Sequence, residues 1–215
     1  MINENVRLSG LALIAGSVGL VATLGLHPTG RGMFDPNQVE SVARALVMVH
    51  SLGLASLPLW FLGACGLSKR IGTDDWLVMT GLGIYGFALA AILNAVVFDG
   101  LVTPGLARAI VNAAPDRVVG WKIAFNYNAL VDEAFLRVFL VLSSVAILLW
   151  SCAILRSGAL SRTLGIIGCL LGTLAAVGQV AGLIGRNPHI LTMVLLGQAL
   201  WLSGAGWQLY REKAA

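Results

Sequence analysis

The chain has 215 residues, of which 58% are hydrophobic and only 11% are charged, and its net charge is +4. A soluble domain carries about a quarter charged residues, so these few charges cannot cover a globular surface and exclude a soluble protein. The positive charges are dispersed and form no basic patch with interleaved aromatic residues, which argues against a nucleic-acid partner.

Apolar runs of about 20 residues recur along the chain, and a helix of that length spans a bilayer. They predict an all-α bundle of six transmembrane helices that forms one domain over residues 1–215. In chain order the membrane-crossing parts of the predicted helices cover residues 6–26, 45–67, 76–98, 116–150, 164–185 and 189–209. The second helix is expected to start outside the membrane, with Asp35 as its N-cap and Pro36 at its first position. In the third loop, Thr103-Pro104 predicts a short helix through Asn112 at the membrane interface, with Leu106, Ile110 and Val111 towards the lipid.

The arginine and lysine residues favour an orientation with both termini in the cytoplasm (N-in, C-in). The two sides carry nearly the same number of cations. However, the inner loops at residues 68–75 and 156–163 are short, and the positive-inside rule applies best to short loops. The remaining loops would then face the outer side of the membrane.

Small residues indicate close packing between the predicted helices. Glycines recur at Gly81, Gly83 and Gly86, at Gly165, Gly168 and Gly172, and at Gly178, Gly182 and Gly185. Glycines at such short intervals allow helix backbones to approach one another inside a membrane.

The costly polar residues of the predicted helices all fall in the outer half or at the outer end. An ionisable residue inside a membrane costs about 2.5–3.5 kcal/mol, so it normally faces a partner or a wet cavity. The sequence therefore predicts a polar cup that opens to the outer side, with Trp60 either at its floor or in the core. The predicted binding residues are His50, Asn94, Asp99, Asn126, Asn128, Gln179 and Trp60.

The fourth helix carries the densest cluster of charge. Glu133 and Arg137 are four residues apart in the order that favours an ion pair, and Asp132 is turned away from Glu133 by about 100°. Two carboxylates that share one arginine could lose their protons at different pH, which a general acid requires. We predict Glu133 and Asp132 as catalytic residues that Arg137 orients. In the alternative, the ion pair is purely structural and Asp132 bonds to Asn94 or to a loop amide.

The three histidines allow a second interpretation. Imidazoles of His27, His50 and His189 could converge at the outer boundary, where three suit zinc or copper and two could hold a haem iron. No pair has the spacing of a metal motif. No cofactor is therefore predicted, and a metal or haem on these residues is kept as an alternative in which His50, the deepest of them, matters most.

A basic turn follows the fourth helix, where Arg156-Ser157-Gly158 is followed by Arg162-Thr163-Leu164-Gly165 and a glycine-rich helix. Together with its surroundings at residues 139–176, this turn resembles the loop between the fourth and fifth helices of a family of small bacterial six-helix integral membrane proteins, a domain of unknown function. The resemblance implies a multi-pass protein of the bacterial inner (plasma) membrane. It implies no activity, and no catalytic residue is carried over.

Three functions are compatible with these patterns. The first is a membrane enzyme or binding protein for a lipid-like, apolar or amphipathic small molecule, with acid/base chemistry of the isomerase, cyclase or hydratase type. The second is a redox protein that binds a metal or haem through the histidines. The third is an accessory subunit whose polar cup is a docking surface for a larger membrane complex. Association as a homo-oligomer is kept as a separate alternative. Membrane lipid is an expected partner in each case.

Overall fold

A computed structural model describes residues 2–28, 30–184 and 188–211, and within these ranges the chain is helical with no strand. In the described residues six helices are long and apolar enough to cross a membrane, so the predicted all-α bundle of six transmembrane helices is confirmed. In chain order the elements are α1 (Ile2–Leu26), α2 (Val39–Ile71), α3 (Trp76–Val97), a π-helical turn (Phe98–Val102), α4 (Thr103–Val111), α5 (Val118–Ser157), α6 (Arg162–Val180) and α7 (Pro188–Arg211).

Several helices extend beyond their apolar runs. The helix α2 begins outside its apolar run, as expected, but at Val39 with Gln38 at the N-cap and not at Asp35-Pro36. The helix α5 continues to Ser157, where Gly158 adopts a left-handed conformation and donates its N–H to the carbonyl of Ile154. Charged residues outside the bilayer can continue a helix, so the apolar run marks the membrane-crossing part and not the helix ends. The opposite holds for α6, which ends at Val180 before the predicted residue 185.

The short helix predicted after Thr103 is present as α4, but it joins α3 through the π-helical turn without a break. It packs against α2 and α5, and Ala107 and Ile110 are buried there. Ile110 therefore faces protein and not lipid as the sequence suggested, because α4 packs against α2 and α5.

The six long helices form a closed ring. The helix α1 packs between α2 and α7, α3 packs between α2 and α5, and α6 packs between α5 and α7. The core on the side of the chain termini is filled by apolar side chains that include Leu13, Tyr85, Phe139 and Trp150. Towards the other end, which we call the His27 end after the residue that follows α1, the packing opens into a cavity.

The backbones of α1 and α7 approach each other closely at two glycines. A Cβ atom placed on Gly206 of α7 would lie 2.6 Å from the carbonyl oxygen of Gly10 in α1, and the reverse contact is at least as close. Backbone atoms cannot move aside as a flexible side chain can. Glycine is therefore required where these two helices close the ring.

Gly206→Ala should destabilise the bundle by about 1–3 kcal/mol, the cost of overpacking a tight contact. Gly83→Ala is the matched control, because a Cβ at Gly83 in α3 meets nothing within 4 Å. Thermal unfolding in detergent measures both. Equal unfolding temperatures for the two variants would contradict the assigned α1–α7 contact.

Candidate functional site

The π-helical turn that carries Asp99 is held by α5. A π-helical turn contains one residue more per hydrogen-bonded ring than an α-helix and needs compensating contacts. The hydroxyl of Thr103 donates to the carbonyl of Phe98 at 3.1 Å, and the side-chain amide of Asn128 donates to the Thr103 hydroxyl at 2.9 Å and to the Phe98 carbonyl at 3.3 Å. Buried Asn128 thus fixes the turn that positions Asp99.

Gly100 brings this turn against α2. A Cβ atom placed on Gly100 would overlap the Cβ of His50 and lie 2.5 Å from its Cγ. Only a residue without a side chain allows the turn to approach the imidazole so closely. This contact could not be predicted from the sequence, because a single glycine after Asp99 is also common in loops.

Two imidazoles meet one carboxylate oxygen at the centre of the site. The Nε2 atom of His27 lies 3.0 Å from Oδ2 of Asp99, and the Nε2 atom of His50 lies 3.1 Å from the same oxygen. The two imidazole rings are 5.1 Å apart in an edge-to-face arrangement. We call His27, His50 and Asp99 the His–Asp cluster.

The other nitrogen of each ring faces a backbone carbonyl. The Nδ1 atom of His50 lies 2.8 Å from the carbonyl of Leu46, and that of His27 lies 2.9 Å from the carbonyl of Pro28. A carbonyl oxygen can only accept a hydrogen bond, so Nδ1 carries the proton in both rings. Both Nε2 atoms are therefore the ones directed at Asp99.

The cluster is accessible from one side. The side chain of His50 is 6% exposed, that of Asp99 is 30% exposed, and that of His27 is 38% exposed. His27 therefore lies nearest the surface, and a small ligand or an ion would reach the buried His50 past it.

An apolar cavity of about 180 Å³ lies beneath the cluster. Asp132 of α5 lines its wall together with the His–Asp cluster, and Trp60 lies deeper, stacked on Phe139 with 6.3 Å between ring centres. Its lining residues are Leu20, Thr23, Leu24, His27, His50, Gly53, Ser56, Leu57, Trp60, Ile92, Ala95, Val96, Asp99, Asp132, Leu136, Leu191, Thr192 and Leu195. Helices α1, α2, α3, α5 and α7 thus all contribute to one site.

Five of the residues singled out from the sequence meet at this site: His27, His50, Asp99, Asp132 and Trp60. Asn128 lies behind it and supports the turn. The small residues Gly53, Ser56 and Gly100 were not predicted, because small side chains inside a membrane helix indicate packing as readily as a cavity.

The other predicted residues lie elsewhere. Glu133 and Arg137 form the predicted ion pair with each other, with side chains about half exposed (45% and 48%), and they do not line the cavity. Asn94 faces a separate groove and donates to the carbonyl of Ala90. Asn126 is exposed, and Gln179 is buried on α6 away from the cavity.

The geometry of the His–Asp cluster also bears on the alternative predictions of a metal or a haem bound by the histidines. Among the described residues, ligand atoms of His27, His50 and Asp99 lie within 4.8 Å of one another, as a metal site requires. His189 is exposed at the start of α7 and is not in this group, so Asp99 takes the place that the sequence suggested for His189. His27 and His50 contact the same carboxylate oxygen, which leaves no space for a porphyrin plane between them.

Gly100→Ala should push the His50 ring away from Asp99 and cost about 1–3 kcal/mol of stability. The matched control is Gly105→Ala in α4, where a Cβ meets nothing within 4 Å. NMR spectra of the imidazole carbons report the position of His50, and thermal unfolding reports stability. Identical spectra for the two variants would show that the turn does not press on His50.

The carboxylate of Asp99, through its hydrogen bond, raises the pKa of His27 above the usual 6.5, although burial acts in the opposite direction. Protonated His27 then stabilises the fold at pH values below its unfolded pKa of about 6.5, and this stabilisation is lost as the pH rises through the raised pKa of the folded state. In chelator-treated protein, NMR should show His27 titrating above 6.5, and Asp99→Asn should lower the midpoint. A midpoint unaffected by Asp99→Asn would contradict the assigned contact.

No family model matches the chain, and no curated protein and no solved structure matches it. The resemblance of residues 139–176 to the bacterial six-helix family therefore stays a prediction. The function has to be inferred from the geometry of the cavity and of the His–Asp cluster.

Proposed function

We propose that this protein binds an apolar or amphipathic small molecule in the cavity between its helices and moves a proton to or from it. The observation that carries the proposal is the junction of an apolar cavity with four ionisable side chains, those of His27, His50, Asp99 and Asp132. Binding sites for small molecules are typically apolar pockets with a few convergent polar groups.

The size of the cavity supports a small or slender ligand. An engineered cavity of about 150 Å³ in another protein holds benzene, so a cavity of about 180 Å³ admits a ring of that size or a segment of an apolar chain. Leu57, Leu136 and Leu195 contribute apolar surface to it. An amphipathic ligand would place its apolar part among these leucines and its polar group against the His–Asp cluster.

The position of the charged groups supports a role beyond packing. Each ionisable residue within a membrane costs about 2.5–3.5 kcal/mol, and three of the four lie on segments counted in the membrane-spanning helices. A pair such as Glu133–Arg137 neutralises itself and needs no further explanation. The His–Asp cluster and Asp132 instead border a space that can accept a ligand.

Asp132 is the side chain that we propose as acid or base. It lines the cavity, whereas the Asp99 oxygen is already shared by two imidazoles. Glu133 is the neighbouring carboxylate, and its contact with Arg137 keeps it outside the cavity. Proton transfer of this kind suits an isomerase, cyclase or hydratase, the reaction types that the sequence suggested.

The cellular setting is part of the proposal. Six apolar helices suggest a multi-pass membrane protein. We place it in a bacterial inner membrane with both termini in the cytoplasm, on the strength of the short basic loops and of the resemblance at residues 139–176. The His27 end then faces the periplasm, and the ligand would enter from the outer leaflet or the periplasm.

A diazirine-labelled decyl alcohol tests the cavity by photocrosslinking in detergent. We expect saturable labelling of the α2 and α7 peptides that contain Leu57 and Leu195. Gly53→Leu should abolish this labelling, because Gly53 lines the cavity. A Cβ at this position would lie 3.5 Å from Thr23, an ordinary van der Waals contact, so the leucine side chain can extend into the cavity without a clash at its base. Asp132→Asn should weaken labelling, because a neutral amide is a weaker hydrogen-bond acceptor for the hydroxyl group than a carboxylate.

Two variants serve as controls. Gly83→Leu adds the same side chain where a Cβ meets nothing within 4 Å, and Glu133→Gln removes the carboxylate next to Asp132 but outside the cavity. Both should label as the wild type does. Labelling that does not saturate, or that is the same in Gly53→Leu and Gly83→Leu, would refute binding in the cavity.

A further inference from the structure

We propose that His27, His50 and Asp99 together bind one zinc ion at the mouth of the cavity. The ligand atoms are the Nε2 atoms of both imidazoles and a carboxylate oxygen of Asp99, all within 4.8 Å of one another. Binding of the ion is independent of the function proposed above. The part that water on the ion would play rests on that function.

The orientation of the imidazoles is the first argument. Because Nδ1 donates to a backbone carbonyl in both rings, each neutral ring directs the lone pair of Nε2 at an oxygen that also offers lone pairs. Such an arrangement is repulsive unless a proton or a cation lies between the atoms. Histidines that bind metals almost always donate their second nitrogen to a carbonyl, a carboxylate or water, and here Leu46 and Pro28 accept those hydrogen bonds.

The distances are the second argument. Ligand atoms about 2.0–2.1 Å from a tetrahedral zinc ion are about 3.3 Å apart. The two distances between Nε2 and the Asp99 oxygen are 3.0 and 3.1 Å, within a few tenths of an ångström of that value, and all the ligand atoms lie within 4.8 Å of one another. Three protein ligands leave a fourth position open, as in catalytic zinc sites.

The charge balance is the third argument. Binding of zinc displaces the proton that Asp99 favours on His27, because metal-bound imidazoles are neutral, and the ionised carboxylates of Asp99 and Asp132 then carry the negative charges of a weakly polar site. A divalent ion neutralises them, which removes the large cost of unpaired charge away from water. Asp132 lines the cavity but is not in the ligand group, so its carboxylate stays available to other partners.

The open position has a chemical consequence for the proposed function. Zinc lowers the pKa of a bound water to about 7, and Asp132 could accept the released proton as the zinc-bound hydroxide forms. The hydroxide would lie beside the apolar cavity, where it can add to one carbon of a polarised double bond in an otherwise apolar substrate while Asp132 returns its proton to the other carbon. Within the reaction types proposed above, this favours a hydratase.

Zinc binding by the full-length protein tests the proposal. The purified chain is stripped with a chelator, titrated with zinc chloride at pH 7.5 and measured by calorimetry and by elemental analysis. We expect one zinc ion per chain in the wild type. His50→Ala and Asp99→Asn should each lower the affinity by at least about 100-fold, the upper end of the loss seen for supporting residues alone. Cobalt(II) in place of zinc should give the visible absorption of a four-coordinate site.

His189→Ala is the matched control, because His189 is exposed and outside the ligand group, and it should bind zinc as the wild type does. If His50→Ala fails to fold, zinc binding by His27→Ala tests the proposal instead, because the exposed side chain of His27 contributes less to packing. This variant should also lose zinc affinity. A wild type that binds no zinc at micromolar concentration overturns the proposal. Unchanged affinity in the folded His27 or Asp99 variants overturns it equally.

The cavity variant separates this proposal from the preceding one. Gly53→Leu should lose labelling by the alcohol probe and keep its zinc ion. Zinc binding without saturable labelling in the wild type would support the metal site and refute the cavity as a binding site. Saturable labelling without zinc binding would support the cavity as a binding site and refute the metal site.

Discussion

The carboxylate of Asp99 sets the constraint on which the rest of the His27 end depends. A charge within an apolar bundle must be matched by partners, and here the two imidazoles approach a single oxygen at 3.0 and 3.1 Å. These contacts tie together the end of α1, the first half of α2 and the π-helical turn after α3. They also explain the local structure, because Asn128 and Gly100 are both needed to hold the Asp99 turn against His50.

The need to keep charge near water also separates the site into a polar end and an apolar cavity. The side chains that carry charge lie at one end, close to water, and the cavity below them is lined mainly by aliphatic groups down to Trp60. A ligand in this space would meet charge only at one end. This polarity favours a molecule with one reactive or polar group, and it unites the proposed acid/base chemistry and zinc binding in one site.

The number of helices and the polar end of the bundle could be predicted from the sequence, because they follow from bilayer thickness and from the cost of burying charge. The side chains that face the cavity could not be predicted, because their direction depends on how the helices pack. Six helices and a polar end are consequences of apolar length and of the placement of charges. Asp132 and Glu133 are adjacent on α5, so helical geometry fixes the angle between them but not which one faces the cavity. The sequence also did not show which glycines allow helices to pack closely. Gly83 and Gly86 were predicted to do so but have open space beside them, whereas Gly10 and Gly206, which were not predicted, bring two helix backbones into contact.

The π-helical turn at Phe98–Val102 shifts the register of the whole segment from α3 to α4. An α-helix rotates by about 100° per residue, so the extra residue in the turn places everything after it one position out of phase with α3. A helical wheel drawn continuously through residues 76–111 would therefore assign α4 to the wrong face. An alignment with a relative that lacks this insertion needs a one-residue gap here, since without it the residues of α4 would be matched one position out of phase.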